Sequence, residues 1–176
     1  MLPDSEPQEP RSPPELQAAV VDLDVMNAPE FAKGRLLGDT TEAPAPWALW
    51  NGQQYGVIPF TRCNGYARLL LLRLGLRVPI LTANRYFDWF ASPEAINRGW
   101  RSIDLTAAVA RANAGFPVVV VGQEAGHGHI AIGVPSPSRD PSTLYVTAAG
   151  ATNTAQMRFV DQFGGLAPRC RLFTHD

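Results

Sequence analysis

The chain has 176 residues, of which 45% are hydrophobic and 18% are charged, a size and composition that suit one domain with its own hydrophobic core. Its 15 basic and 16 acidic residues give a net charge of -1, which excludes the basic excess typical of nucleic-acid-binding proteins. The apolar runs are far shorter than the roughly 20 residues of a membrane-spanning helix, and two cysteines are too few for a disulfide framework.

Charge and proline are distributed unevenly along the chain. Residues 1–46 contain 9 acidic and 3 basic residues, a net charge of -6, and half of the 16 prolines. Residues 47–176 contain 7 acidic and 12 basic residues, a net charge of +5. This contrast predicts an acidic leader, disordered over residues 1–14 and with a short surface helix over 15–25, followed by one domain. The N-terminus carries acids and prolines where a secretory signal needs basic residues and an apolar run.

The first helix of the domain is predicted over residues 64–74. Its apolar side chains fall on one stripe, and Gly75 follows at the position where a glycine commonly ends a helix. Thr61 can cap this helix, which places Cys63 in its first turn.

Two more helices are predicted over residues 83–90 and 105–114. Thr82 and Asp104 stand at their starts as caps, and Leu105 is expected to face the core with the apolar residues that follow it.

Strands are predicted in the second half of the domain. Residues 117–121 form a continuous β-branched run, which predicts a central strand buried on both faces. Residues 129–134 alternate, with His129 on one face and Ile130 on the other. Residues 144–148 and 170–174 are predicted as further strands. Helices followed by strands indicate an α+β fold.

Cys63 and His129 are the candidate catalytic residues. A cysteine nucleophile needs a lowered pKa, a base within hydrogen-bond reach and N–H groups near the oxyanion, and a helix start supplies the first and third of these. His129 begins a core strand and is expected to face Cys63 as a rigidly held base. His127, in the glycine-flanked turn, is the alternative base.

Each of these residues could also have a structural role. A lone cysteine is more often a small buried hydrophobe, although the polar and glycine neighbours of Cys63 are not typical of a core. A lone histidine such as His129 is more often a satisfied, partly buried residue. Cys170 is expected to be a buried structural thiol on the same face as Leu172.

The motifs resemble those of NlpC-type and CHAP-type papain-like cysteine peptidases, which cut peptide bonds in bacterial peptidoglycan. The resemblance lies in Arg-Cys-Asn-Gly-Tyr around Cys63 and in Gly-His-Ile-Ala-Ile around His129, and it covers residues 47–176. It implies a papain-like fold, with N-terminal helices on a C-terminal antiparallel sheet and no metal or other cofactor. It also implies Cys63 as nucleophile, His129 as base and Tyr55 as a residue that lines the substrate site together with His127.

The chain departs from the pattern of these peptidases at the residue that would orient the His129 imidazole. Folding the hairpin about residues 138 and 139 puts Ala148 opposite His129, where relatives carry a polar side chain, and Thr147 faces the wrong side. Asn153 could reach the ring from the following loop. The alternative is a backbone carbonyl, which would leave a catalytic dyad.

Two functions from different classes follow. The first is a monomeric amidase or endopeptidase that acts on peptidoglycan stem peptides, or a related thiol acyltransferase. It would be exported without a classical signal peptide to the periplasm or cell wall, and as an antibacterial effector it would have a cognate immunity protein. The second is a non-catalytic binding domain on the same fold, in which Cys63 is a packing residue.

Overall fold

The computed structural model describes residues 13–23, 49–50, 53–54, 62–126, 128–138, 140–150 and 153–176. The helices within these residues are α1 (Pro13–Leu23), α2 (Arg62–Arg73), α3 (Ala83–Trp89), α4 (Pro93–Asn97), α5 (Leu105–Asn113), α6 (Phe159–Phe163) and a 3-10 helix (Gly164–Arg169). The strands are β1 (Leu49–Trp50), β2 (Gln53–Gln54), β3 (Trp100–Ile103), β4 (Val118–Gly122), β5 (His129–Val134), β6 (Tyr145–Ala148), β7 (Thr154–Arg158) and β8 (Arg171–His175).

Six of the strands form one antiparallel sheet in the order β3-β8-β4-β5-β6-β7, and β1 pairs with β2 separately. β4 lies between β8 and β5, and all of its residues are buried. The central strand predicted from the β-branched run is therefore confirmed. The predicted strand at 129–134 is confirmed as β5, and β6 and β8 begin one residue later than predicted. Helices packed on an antiparallel sheet make this an α+β protein.

Local sequence accounts for the helix boundaries. Thr82 Oγ1 accepts a hydrogen bond from Arg85 N–H at 3.3 Å, and Asp104 Oδ1 accepts one from Ala107 N–H at 2.7 Å, so both predicted caps are confirmed. After α2 the chain turns at Gly75, whose φ of +74° favours glycine.

Each face of the sheet carries its own buried cluster. On the α2 face, α1, α2 and α3 pack on sheet residues that include Val119, Val121, Ile130, Ile132 and Phe173. On the α6 face, α5, α6 and the 3-10 helix pack on sheet residues that include Val118, Val120, Ala131, Val146 and Ala148. The alternation of side chains along β4 and β5 therefore sends neighbouring residues into different clusters.

The helix predicted over residues 15–25 is present as α1, whose Leu16, Val20 and Leu23 are buried in the cluster of the α2 face while Val21 is 66% exposed. Two other sequence-based expectations are wrong in this part of the fold. Residues 13 and 14, predicted to be disordered, are the first two residues of α1, whereas residues 1–12 lie outside the described residues. Leu105 is 42% exposed rather than core-facing, since it is the first residue of α5. Among the described helices, none has the length and apolar character to cross a membrane.

Candidate functional site

Cys63 is the second residue of α2, as the sequence predicts. Its side chain is 2% exposed within the cluster of the α2 face, and its Sγ lies 3.8 Å from Asn64 Oδ1. N–H groups in the first turn of a helix lack intrahelical acceptors, so this position favours a thiolate and can donate to an oxyanion. Thr61, the predicted cap of this helix, lies outside the described residues.

A buried chain of hydroxyl groups anchors α2 to the sheet. Thr147 Oγ1 donates to Thr154 O at 2.9 Å, so the Tyr66 hydroxyl donates to Thr147 Oγ1 at 2.7 Å. Burial raises the pKa of Tyr66 to about 12, although the hydrogen bond with Thr147 opposes the shift. Tyr66 therefore remains a neutral donor, and Thr147 faces α2, on the side of the sheet that the sequence predicts.

A second set of polar contacts joins the start of α2 to the turn between β4 and β5. Asn64 Nδ2 donates to Leu81 O at 2.6 Å. Three residues further on, Asn84 Nδ2 donates to Glu124 O at 2.9 Å, and Asn84 Oδ1 accepts from Glu124 N–H at 3.2 Å. The segment from Leu81 to Asn84 thus links the helix that carries Cys63 with the turn that precedes β5.

Two predicted site residues, Tyr55 and His127, lie outside the described residues, but both neighbours of His127 are described. Gly126 has a φ of +89°, a conformation that L side chains rarely adopt. A Cβ atom on Gly128 would lie 2.2 Å from Asn84 Oδ1, so only glycine fits there without movement. The structure therefore explains both glycines of the Gly-His-Gly sequence. Gly126 is explained by its backbone conformation, and Gly128 by its closeness to Asn84.

The His129 imidazole packs against α6. His129 is the first residue of β5 and pairs with Gly122 of β4. Its ring centroid lies 4.8 Å from that of Phe163, and its Nε2 lies 3.1 Å from Gln162 Nε2. Nε2 of the ring is therefore within hydrogen-bond distance of the Gln162 side-chain amide. Burial lowers the pKa of His129 to about 4, so the ring is neutral near pH 7.

Cys63 and His129 lie on opposite faces of the sheet. Ile130 belongs to the same cluster as Cys63, and the alternation of β5 turns the preceding residue, His129, toward Phe163. The sequence predicts this alternation correctly, but the expectation that His129 faces Cys63 is wrong in this geometry. Among the described residues, the structure does not bring the predicted nucleophile and the predicted base together.

The side chain that contacts the imidazole is Gln162, whereas Asn153 was expected there. Asn153 Oδ1 accepts a hydrogen bond from Gly150 N–H at 3.0 Å, which closes the turn after β6. The described contact of Asn153 is thus with the backbone of Gly150, and Gln162 is the side chain that contacts the His129 ring. Gln162 was missed because α6 is only five residues long. The signal that could have found it is a pair of phenylalanines four residues apart, which places both on one face of a helical turn.

The register of β5 and β6 differs from the prediction by two residues. Ile132 pairs with Thr147, which brings Gly150 rather than Ala148 opposite His129. A Cβ atom on Gly150 would lie 3.3 Å from His129 Cε1, so the glycine leaves room for the imidazole. A shift of two residues preserves the side-chain face, which is why Thr147 still faces α2.

Cys170 is a half-buried thiol on the α6 face, where a buried thiol was predicted. Its Sγ lies 3.5 Å from Leu166 O and would be 3.1 Å from a Cβ atom on Gly122. Cys170 and Leu172 both pack against the cluster of this face. Burial raises the pKa of Cys170 to about 12, which keeps the sulfur protonated and weakly reactive.

The part of the chain that the structure describes contains no group of three or more His, Cys, Asp or Glu side chains arranged to hold a metal ion. A scan against models of known protein families finds no match, and a search of curated proteins finds none either.

Proposed function

We propose that this protein is a papain-like cysteine hydrolase with Cys63 as its nucleophile. The observation that carries the proposal is the polar link from the start of α2 to the turn before β5, through Asn64, Leu81 and Asn84. This link ties a cysteine in the first turn of a helix to a segment that contains a glycine-flanked histidine. Nucleophilic catalysis by cysteine requires a base within hydrogen-bond reach of the thiol.

Within this proposal the general base is His127 rather than His129. The ring of His129 lies on the α6 face beside Gln162, and its pKa of about 4 is too low for a base that acts near neutral pH. His127 precedes Gly128, which contacts Asn84. His129 then has a packing role on the opposite face of the sheet.

The proposed reaction uses Cys63 as nucleophile, His127 as base and acid, and one water molecule. Cys63 Sγ attacks the amide carbon while the thiol proton passes to His127, and N–H groups of the first turn of α2 donate to the oxyanion. When the C–N bond breaks, His127 returns the proton to the leaving amine, and the acyl group remains on Cys63 as a thioester. Water then attacks the thioester, which releases a carboxylic acid and restores the thiol.

The proposed substrates are amide bonds in the stem peptides of peptidoglycan, the class that the resemblance to NlpC-type and CHAP-type peptidases implies. The net charge of +5 on residues 47–176 favours an acidic wall polymer. This role requires export to the periplasm or cell wall, and an antibacterial effector of this kind would have an immunity protein. Transfer of the acyl group to an amine instead of water would make the protein an acyltransferase.

Digestion of purified peptidoglycan tests the proposal. The wild-type chain should release fragments whose masses identify the bond that is cut, and the Cys63→Ala variant should release none. Cys170→Ala is the matched control, because it removes the other thiol from the opposite face and should retain activity. Release of the same fragments by the Cys63→Ala variant would exclude Cys63 as the nucleophile.

A non-catalytic binding domain is the second candidate function. It is favoured by the 2% exposure of Cys63 and by the orientation of His129 toward the α6 face. The reaction of Cys63 with iodoacetamide near neutral pH separates the two candidates. An activated thiol should react quickly, whereas a packing residue should react slowly.

A further inference from the structure

Asn84 holds both backbone polar groups of one residue in the turn between β4 and β5. Its Nδ2 donates to Glu124 O at 2.9 Å, and its Oδ1 accepts from Glu124 N–H at 3.2 Å. The side chain thus provides the pairing that a neighbouring strand would provide. We propose that Asn84 is a positioning residue for the thiol chemistry and fixes this turn relative to the start of α2. This inference rests on the proposed function of Cys63.

Asn84 also contacts the far end of the same turn. A Cβ atom on Gly128 would lie 2.2 Å from Asn84 Oδ1 and 3.1 Å from Asn84 N, so Gly128 lies directly against this residue. Asn84 is the second residue of α3, whose start is capped by Thr82. The side chain therefore extends from a fixed helix start and contacts the turn at Glu124 and at Gly128.

At its other end, the link contacts α2, the helix that carries Cys63. Asn64 Nδ2 donates to Leu81 O at 2.6 Å, three residues before Asn84. Loss of the Asn84 side chain should let the turn move relative to α2, although Asn84 itself need not touch the substrate. A misplacement of about 1 Å can lower turnover by about 100-fold, which sets the size of the expected effect.

Asn113 provides a matched control, because it makes the same type of contact at the other end of β5. Its Oδ1 accepts from Ser136 N–H at 2.8 Å, and its Nδ2 donates to Asp140 O at 3.3 Å. Asn113→Ala and Asn84→Ala therefore each remove one amide side chain that bonds a loop next to β5. Only Asn84 belongs to the link with α2.

The experiment measures alkylation of Cys63 by iodoacetamide in the full chain, from about pH 5 to about pH 9, with peptide mass spectrometry to separate it from Cys170. In Asn84→Ala, the midpoint of the pH profile should move up toward that of an unactivated thiol. Turnover of peptidoglycan should fall by about 100-fold with little change in KM. Asn113→Ala should change neither quantity.

Asn84→Asp keeps the test decisive if the alanine variant does not fold. An aspartate is favoured in the first turn of a helix and can still accept from Glu124 N–H, but it cannot donate to Glu124 O. It should shift the alkylation profile in the same direction as the alanine variant.

Each outcome bears on one of the two proposals. Unchanged profiles in both Asn84 variants, or an equal shift in Asn113→Ala, would overturn the positioning role and leave the proposed function standing. A wild-type Cys63 that reacts no faster than Cys170 would overturn the proposed function itself.

Discussion

The two faces of the sheet hold their polar groups in different ways. On the α2 face, Tyr66 and Asn64 each bond to a residue far away in sequence, and these bonds fix the helix that carries Cys63. On the α6 face, His129 and Cys170 are held in their neutral forms by burial. The α2 face is the one organised around a helix start, in whose first turn Cys63 lies.

Replacement of each cysteine should give the largest difference in activity between variants on the two faces of the sheet. Cys63→Ala should lower peptidoglycan hydrolysis by more than about 1,000-fold, because loss of a catalytic nucleophile leaves only residual catalysis. Cys170→Ala should leave the turnover of the folded protein within about threefold of wild type. Circular dichroism of both variants checks that the fold is retained. Equal activity losses in the two variants would contradict the functional difference between the faces.

Replacement of His127 and of His129 should give the next largest difference in activity. His127→Ala should lower turnover by roughly 100-fold to 10,000-fold, the usual contribution of general acid–base catalysis, with little loss of stability. His129→Ala should leave turnover nearly unchanged and lower the free energy of unfolding by about 1 to 3 kcal/mol, because it removes the ring that packs on Phe163. Steady-state kinetics and urea unfolding measure the two effects. The reverse result would return the base to His129.

The sequence predicts the elements of this fold better than it predicts their partners. The caps Thr82 and Asp104 and the buried run of β4 follow from local chemistry that the surrounding structure does not override. The alternation of His129 and Ile130 is predicted as well. The sequence does not predict which face of the sheet each helix covers, because both faces are apolar and the apolar stripes of α2 and α5 could each pack on either one.

The sequence fails to predict the contacts of His129 and of Asn84 for a similar reason. The length of the loop between β5 and β6 does not fix their register, so Ala148 and Gly150 are both reasonable partners for His129 until the strands are seen paired. Gln162 lies on a helix too short for its periodicity to be recognised. Asn84 gives no signal, since an asparagine near a helix start could equally bond within its own helix.

The burial of His129 predicts a pH dependence of stability. Its pKa is lowered from 6.5 to about 4, so at acid pH the unfolded chain binds a proton that the folded chain excludes. Its contribution is fully present above about pH 6.5 and is lost as the pH falls toward about 4, with an upper limit of roughly 3 kcal/mol. Urea unfolding across this interval should show a steeper loss for wild type than for His129→Asn. Parallel curves would mean that the ring is not held neutral by burial.

The hydroxyl chain on the α2 face gives the smallest expected effect. Tyr66→Phe removes the donor to Thr147 Oγ1, while Thr147 can still donate to Thr154 O, so no buried donor is left without an acceptor. The free energy of unfolding should fall by about 1 kcal/mol, the usual net value of one hydrogen bond. Thr147→Val should cost more, about 1 to 3 kcal/mol, because it leaves both the Tyr66 hydroxyl and Thr154 O buried without this partner. Urea unfolding of the two variants measures the difference. If Tyr66→Phe proves the more damaging change, the tyrosine hydroxyl has a role beyond joining α2 to β6, and its turnover should then be compared with that of Thr147→Val.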